Sequence, residues 1–141
     1  MRKLVVTLAL YVAGLALGSH AEDLCKVLDR PQDFAGRMLS IRASVKPTMH
    51  GTYLKQPQCP NSILLLLPEE IPNYRGPVRP VKDARFEAFL DARFDHRPDA
   101  PTFEATFSGQ LEYSKRGKFG YYGNHRARFV LRAVEPEASN H

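Results

Sequence analysis

Arg37-Met38-Leu39-Ser40-Ile41-Arg42-Ala43-Ser44-Val45-Lys46 alternates apolar and polar side chains along its length. Leu39, Ile41, Ala43 and Val45 take every second position, with Ser40, Arg42, Ser44 and Lys46 between them. Successive side chains of an extended chain point to opposite faces, so this is a strand with one face in a core and the other toward water. Pro47, which has no N–H to give to a ladder, is expected to end it. Met49-His50-Gly51 follows as a turn, and Tyr53-Leu54-Lys55 starts a returning strand. After a second turn at Cys59-Pro60-Asn61, Ile63 to Leu67 is a continuous apolar run, which fits a strand covered on both sides.

Outward from this hairpin the punctuation changes. Pro68, Pro72, Pro77 and Pro80 forbid regular pairing over 68–82, an ordered or semi-ordered loop. Asp83 is placed to cap a helix, and Phe86, Phe89, Leu90 and Phe94 share the core-facing spacing of that helix. Pro98 and Pro101 close it. A long hairpin follows. Phe103, Ala105, Phe107, Gly109, Leu111 and Tyr113 share one face of its first strand. Ala127, Phe129, Leu131 and Ala133 share one face of its second, which runs from Arg126 to Glu135. On the other side of the opening strand, Leu24, Val27 and Leu28 form the apolar stripe of a short helix over 22–30, which Pro31 ends.

The expected order is therefore helix, three strands, helix, two strands. This is the order of a five-stranded, mainly β, OB-like β-barrel with an N-terminal helix and a helix between strands 3 and 4. A small α+β sheet with the helix on one face has a similar string. The chain has 141 residues, room for one domain, with 43% hydrophobic and 25% charged residues. Those proportions exclude a mostly disordered chain, a collagen-like chain and a polytopic membrane protein.

Residues 1–21 read as a signal peptide. Arg2 and Lys3 precede the apolar run Leu4 to Leu17, and Ser19-His20-Ala21 fits a small-x-small cleavage site. The run is shorter than the roughly 20 apolar residues of a membrane-spanning helix. Arg2 and Lys3 leave with it, and the formal charge falls from +5 to +3. A single domain is then expected over 22–136, exported to the periplasm or secreted, with no membrane span after cleavage and a disordered tail over 137–141. In an oxidising compartment two cysteines pair as a rule, so Cys25 and Cys59, the 2 cysteines of the chain, are expected to form a structural disulfide. A thiol pair for redox or metal work is the alternative, but no C-x-x-C is present.

Leu28 with Pro31, Phe34-x-Gly36-Arg37 leading into Leu39-x-Ile41-x-Ala43, then His50-Gly51, Leu54 and Cys59-Pro60 form a recurring set of turn and core positions. Phe107-x-Gly109 and Gly120-Tyr121-Tyr122-Gly123 before an Arg/Phe strand extend it. Together they resemble a group of small exported bacterial proteins of unknown function, over most of residues 24–135. The resemblance implies an OB-like fold, and no catalytic residue comes with it.

The segment 114–132 carries six bases and no acid, while the remainder of 22–141 is net acidic. Lys118, Arg126 and Arg128 supply charge there, and Tyr121 and Tyr122 supply flat rings. His125 stands at the base of the loop, and Tyr53 lies on the strand 2–3 face, which with the 47–52 and 114–126 loops is the expected binding surface of an OB-like fold. Rings beside cations suit an anionic glycan or a protein partner of the cell envelope. They also suit single-stranded nucleic acid, which export disfavours. The same segment equally describes a solvated hairpin tip. The chain has no G-x-S-x-G elbow, no phosphate-binding glycine loop and no His pair at metal-ligand spacing, so neither enzyme activity nor a cofactor is expected. Two further readings stay open: a soft-metal site through Met49 and His50, if the fold brings Met38 to them, and a purely structural envelope protein. A monomer is expected.

Overall fold

The computed structural model describes residues 20–135. Of the leader expected over 1–21 only His20 and Ala21 fall within them, and the tail expected over 137–141 lies outside the described residues. In chain order the elements are α1 (Leu24–Asp29), β1 (Met38–Thr48), β2 (Gly51–Lys55), β3 (Ile63–Leu66), α2 (Ala84–Ala92), β4 (Glu104–Tyr113) and β5 (Ala127–Glu135). The protein is thus mainly β, five strands with two helices in the expected order. β3 runs parallel to β5, and every other pairing is antiparallel. The strands neighbour one another as β1-β2-β3-β5-β4, and β4 pairs back onto β1, so the sheet closes into a ring.

β1 behaves as its alternation requires, with Leu39, Ile41, Ala43 and Val45 all buried on the inside. It runs on through Pro47 to Thr48, beyond the expected stop. The register explains this. Val45 N–H points away from β2, donating to the Phe103 carbonyl at 2.9 Å. Pro47 has the same parity, so its missing N–H falls on the side where β4 no longer pairs, and the β1–β2 ladder loses nothing.

α2 turns one face to the inside of the ring. The Asp83 carboxylate caps it by accepting from Phe86 N–H at 2.9 Å. Phe86 and Phe89 are fully buried, and the Phe89 ring meets Phe107 of β4 edge-on at 5.6 Å. Each such ring stabilises the fold by about 1.5–3 kcal/mol through apolar burial. Phe94, expected on the same core-facing stripe, is 66% exposed. The helix ends at Ala92, and past its end helical spacing no longer aims a side chain. Arg93 turns inward in its place, with Nη2 2.7 Å from Glu70 Oε1, and its Nε donates to Thr52 Oγ1 at 3.3 Å.

The expected alternation of β5 also needs correction. Ala127, Phe129 and Leu131 face the core, but Val134 is buried and Ala133 is only half-buried. The ladder with β4 shifts register between Ser108 and Gly109, and this bulge moves the following residues to the opposite face. Gly109 is required at that point, because a Cβ there would lie 2.3 Å from the Val130 carbonyl oxygen. Val130 points outward and is nevertheless fully buried, since the proline-rich segment 68–82 lays Ile71 and Val78 over it.

Cys25 and Cys59 are joined in a disulfide, with a Cα–Cα distance of 5.4 Å, tying α1 to the turn after β2. The helix is shorter than the expected 22–30, and Glu22 instead bridges to Ile41 of β1. Buried Gln56 reinforces the tie. Its Oε1 accepts from Leu24 N–H at 2.9 Å, and its Nε2 donates to the Arg42 carbonyl at 2.8 Å. No helix among the described residues is long and apolar enough to cross a membrane.

Candidate functional site

Two connections meet over the outer face of β2 and β3. One is the tight turn Met49-His50 between β1 and β2; the other is the loop 114–126 between β4 and β5. The longer loop is itself a small hairpin. Phe119 N–H donates to His125 O at 3.1 Å, and His125 N–H returns to Phe119 O at 3.0 Å. Gly123 N–H then donates to Gly120 O, closing a turn whose tip is Tyr121-Tyr122. Gly120 has φ +85°, and a Cβ on it would stand 2.3 Å from His125 Cδ2. Glycine there both permits the left-handed backbone and lets the imidazole lie against the turn.

The rings gather at this tip. His50 lies 4.6 Å from Tyr121 and 5.4 Å from Tyr122, centroid to centroid, and the two tyrosines meet edge-on at 4.9 Å. Deeper in, Tyr53 Oη and His125 Nε2 share a hydrogen bond at 3.2 Å, its direction set by the imidazole tautomer. Burial pushes the Tyr53 phenol above its ordinary value, so it stays a neutral hydrogen-bonding group. Between these rings lies a cleft of about 340 Å³, completed by Lys46, Thr48 and Ser62. Lysine and histidine line it, and no carboxylate does. Tyr121 and Tyr122 remain 71% and 73% exposed, so most of their ring area faces water.

Of the residues singled out in the sequence, Tyr53, Tyr121, Tyr122 and His125 come together in this cleft. Arg126 lines an adjoining one. Lys118 and Arg128 do not join them; they line a different depression with Phe119 and Glu112. Arg128 faces Glu112 across the β4–β5 ladder, donates to its carboxylate at 2.6 Å and stacks over the Phe119 ring at 4.3 Å. Its charge is met within the protein, and it stands apart from the tyrosines. Thr48 and His50 come from the 47–52 loop, part of the expected binding surface though not singled out as ligand contacts, and Lys46 and Ser62 are the cleft residues that sequence reasoning left out.

Met38 begins the 11-residue β1 and Met49 follows its far end, so the fold does not gather them around His50. Asp23, Cys25 and Cys59 cluster within 4.8 Å, but the two sulfurs are bonded to each other and offer no thiolate. A depression of about 520 Å³ runs between α1 and Cys59–Asn61 and has no aromatic wall. No protein-family model, no curated protein and no solved structure matches the chain.

Proposed function

We propose that the protein is an exported OB-like module of the cell envelope that binds an anionic glycan in the aromatic cleft without chemically changing it. The observation that carries this reading is the convergence of His50, Tyr121, Tyr122 and His125 from two loops onto Tyr53 of β2, beside Lys46 and without a carboxylate. Flat rings offer stacking area to the apolar faces of sugar rings, and the cations attract an acidic substituent. The strand order and the helix between β3 and β4 are those expected of an OB-fold. In that architecture the strand 2–3 face, flanked by the first and fourth connecting loops, takes oligonucleotides and oligosaccharides. The expected leader and the disulfide favour export, and export favours a glycan over a nucleic acid.

An envelope protein as partner is the second reading. Met49, 93% exposed at the tip of the β1–β2 turn, favours it, because flexible methionines adapt to protein surfaces. Calorimetric titration separates the two. Glycan strands from the bacterial cell wall, or hyaluronan oligosaccharides, should give saturable heat with the purified protein. A Tyr121→Ala/Tyr122→Ala double variant should lose at least tenfold in affinity. Undiminished binding by that variant, or no heat with any acidic glycan, would dismiss the glycan reading.

A further inference from the structure

The aromatic cleft does not end at His125. A second cleft of about 330 Å³ opens on the other side of that residue, and Ser62 and His125 line both. Its outer wall comes from the end of α1 and the turn behind it, with Asp29 and Gln32, and its inner wall from Tyr113 and Arg126 at the β4 and β5 ends. Each cleft alone sits at the low end of the range for small-molecule sites, roughly 300–1,000 Å³. Meeting at Ser62 and His125, they run from the β1–β2 turn past the start of β3 to the end of α1.

The two halves differ in charge. Lys46, His50 and His125 line the first, and no acid does. The second sets Arg126 and Asp29 in one cleft, and neither makes an ion pair among the described residues. Gln32 adds an amide that both donates and accepts. A ring bearing a carboxylate is favoured in the first half. In the second half the same carboxylate would face Asp29, whereas the hydroxyl and acetamido groups of a neutral ring can both accept from Arg126 and donate to Asp29.

Resting on the glycan reading above, we infer that the two clefts are consecutive subsites for one saccharide chain in which an acidic ring is followed by a neutral one. The linkage passes over the saddle formed by Ser62 and His125. Arg126 then recognises the second ring rather than adding to a general positive field, and Asp29 rejects a second acid there.

The test is calorimetry on the purified chain with three probes: glucuronic acid, a hyaluronan tetrasaccharide that alternates acidic and neutral rings, and an all-acidic tetragalacturonate. The tetrasaccharide should bind at least tenfold more tightly than either of the others. Arg126→Ala should weaken the tetrasaccharide about tenfold and leave glucuronic acid unchanged. Asp29→Asn should bring tetragalacturonate up toward the tetrasaccharide. Equal affinity for glucuronic acid and the tetrasaccharide, or no effect of either substitution, would overturn the paired subsites while leaving the aromatic cleft as a glycan site. No binding of any probe would remove the glycan reading and this inference with it.

Discussion

Thr52 and Tyr53 are neighbours on β2, and each ends beside a nitrogen base flanked by aromatic rings. Thr52 points inward to Arg93, whose guanidinium is 5% exposed, pairs with Glu70, and lies near the Phe89 and Phe94 rings at 5.8 and 4.8 Å. Tyr53 points outward to His125, beneath a cluster of rings left open to water. The residue chemistry is alike, but the uses differ. Inside, each polar group is met by protein, and the cluster holds α2 and the 68–70 turn against the ring of strands. Outside, backbone bonds of the 119–125 hairpin hold Tyr121, Tyr122 and His125 over β2 while the tyrosine faces stay exposed to water. A cluster satisfied by its own fold stabilises; one held in place with its ring faces exposed offers contact area to a ligand.

That contrast has measurable consequences. Removing the disulfide by Cys25→Ser/Cys59→Ser should cost about 4 kcal/mol in urea unfolding, from the entropy returned to the unfolded chain. A loss under ~1 kcal/mol, small on that same model, would mean that Gln56 alone secures α1. Arg93→Ala should cost about 3 kcal/mol, because it strands a partly buried Glu70 carboxylate, and should leave glycan affinity unchanged once folded. Gly109→Ala should cost about 2 kcal/mol as its methyl meets the Val130 carbonyl. On the open side, Tyr121→Ala/Tyr122→Ala should move stability by no more than about 0.5 kcal/mol while removing binding. A stability loss as large as that of Arg93→Ala would erase the distinction between the two faces.

The smallest effect is on titration. Burial raises the Tyr53 phenol above its ordinary value. A raised acid means the fold prefers the protonated form. Its contribution is therefore full below the unfolded value of about 10 and fades as pH climbs through the folded one. Tyr53→Phe should remove an ultraviolet phenolate step lying above pH ~10 and flatten the alkaline limb of the stability curve. A phenolate step for Tyr53 below that value would contradict its partial burial.

What the sequence made legible was local. Alternation placed β1, β4 and the first half of β5; Asp83 placed α2; and two cysteines in an expected export setting gave the disulfide. Register was not legible, because it is settled between strands distant in sequence. The Ser108/Gly109 bulge and the Arg128–Glu112 pair depend on it, and the inward turn of Arg93 depends on where α2 stops. The cleft shows the same division. Tyr53, Tyr121, Tyr122 and His125 stood out by type and by the expected strand order. His50 and Ser62 gain meaning only once the 114–126 loop folds across β2 and β3.

Side-chain and amide chemical-shift mapping by NMR during titration with a hyaluronan tetrasaccharide puts the open face to the most direct trial. The account predicts saturating shifts at His50, Tyr53, Tyr121, Tyr122 and His125, with Phe89 and Arg93 unmoved. Shifts centred on the depression beside Cys25 and Cys59, or spread evenly over the surface bases, would contradict it.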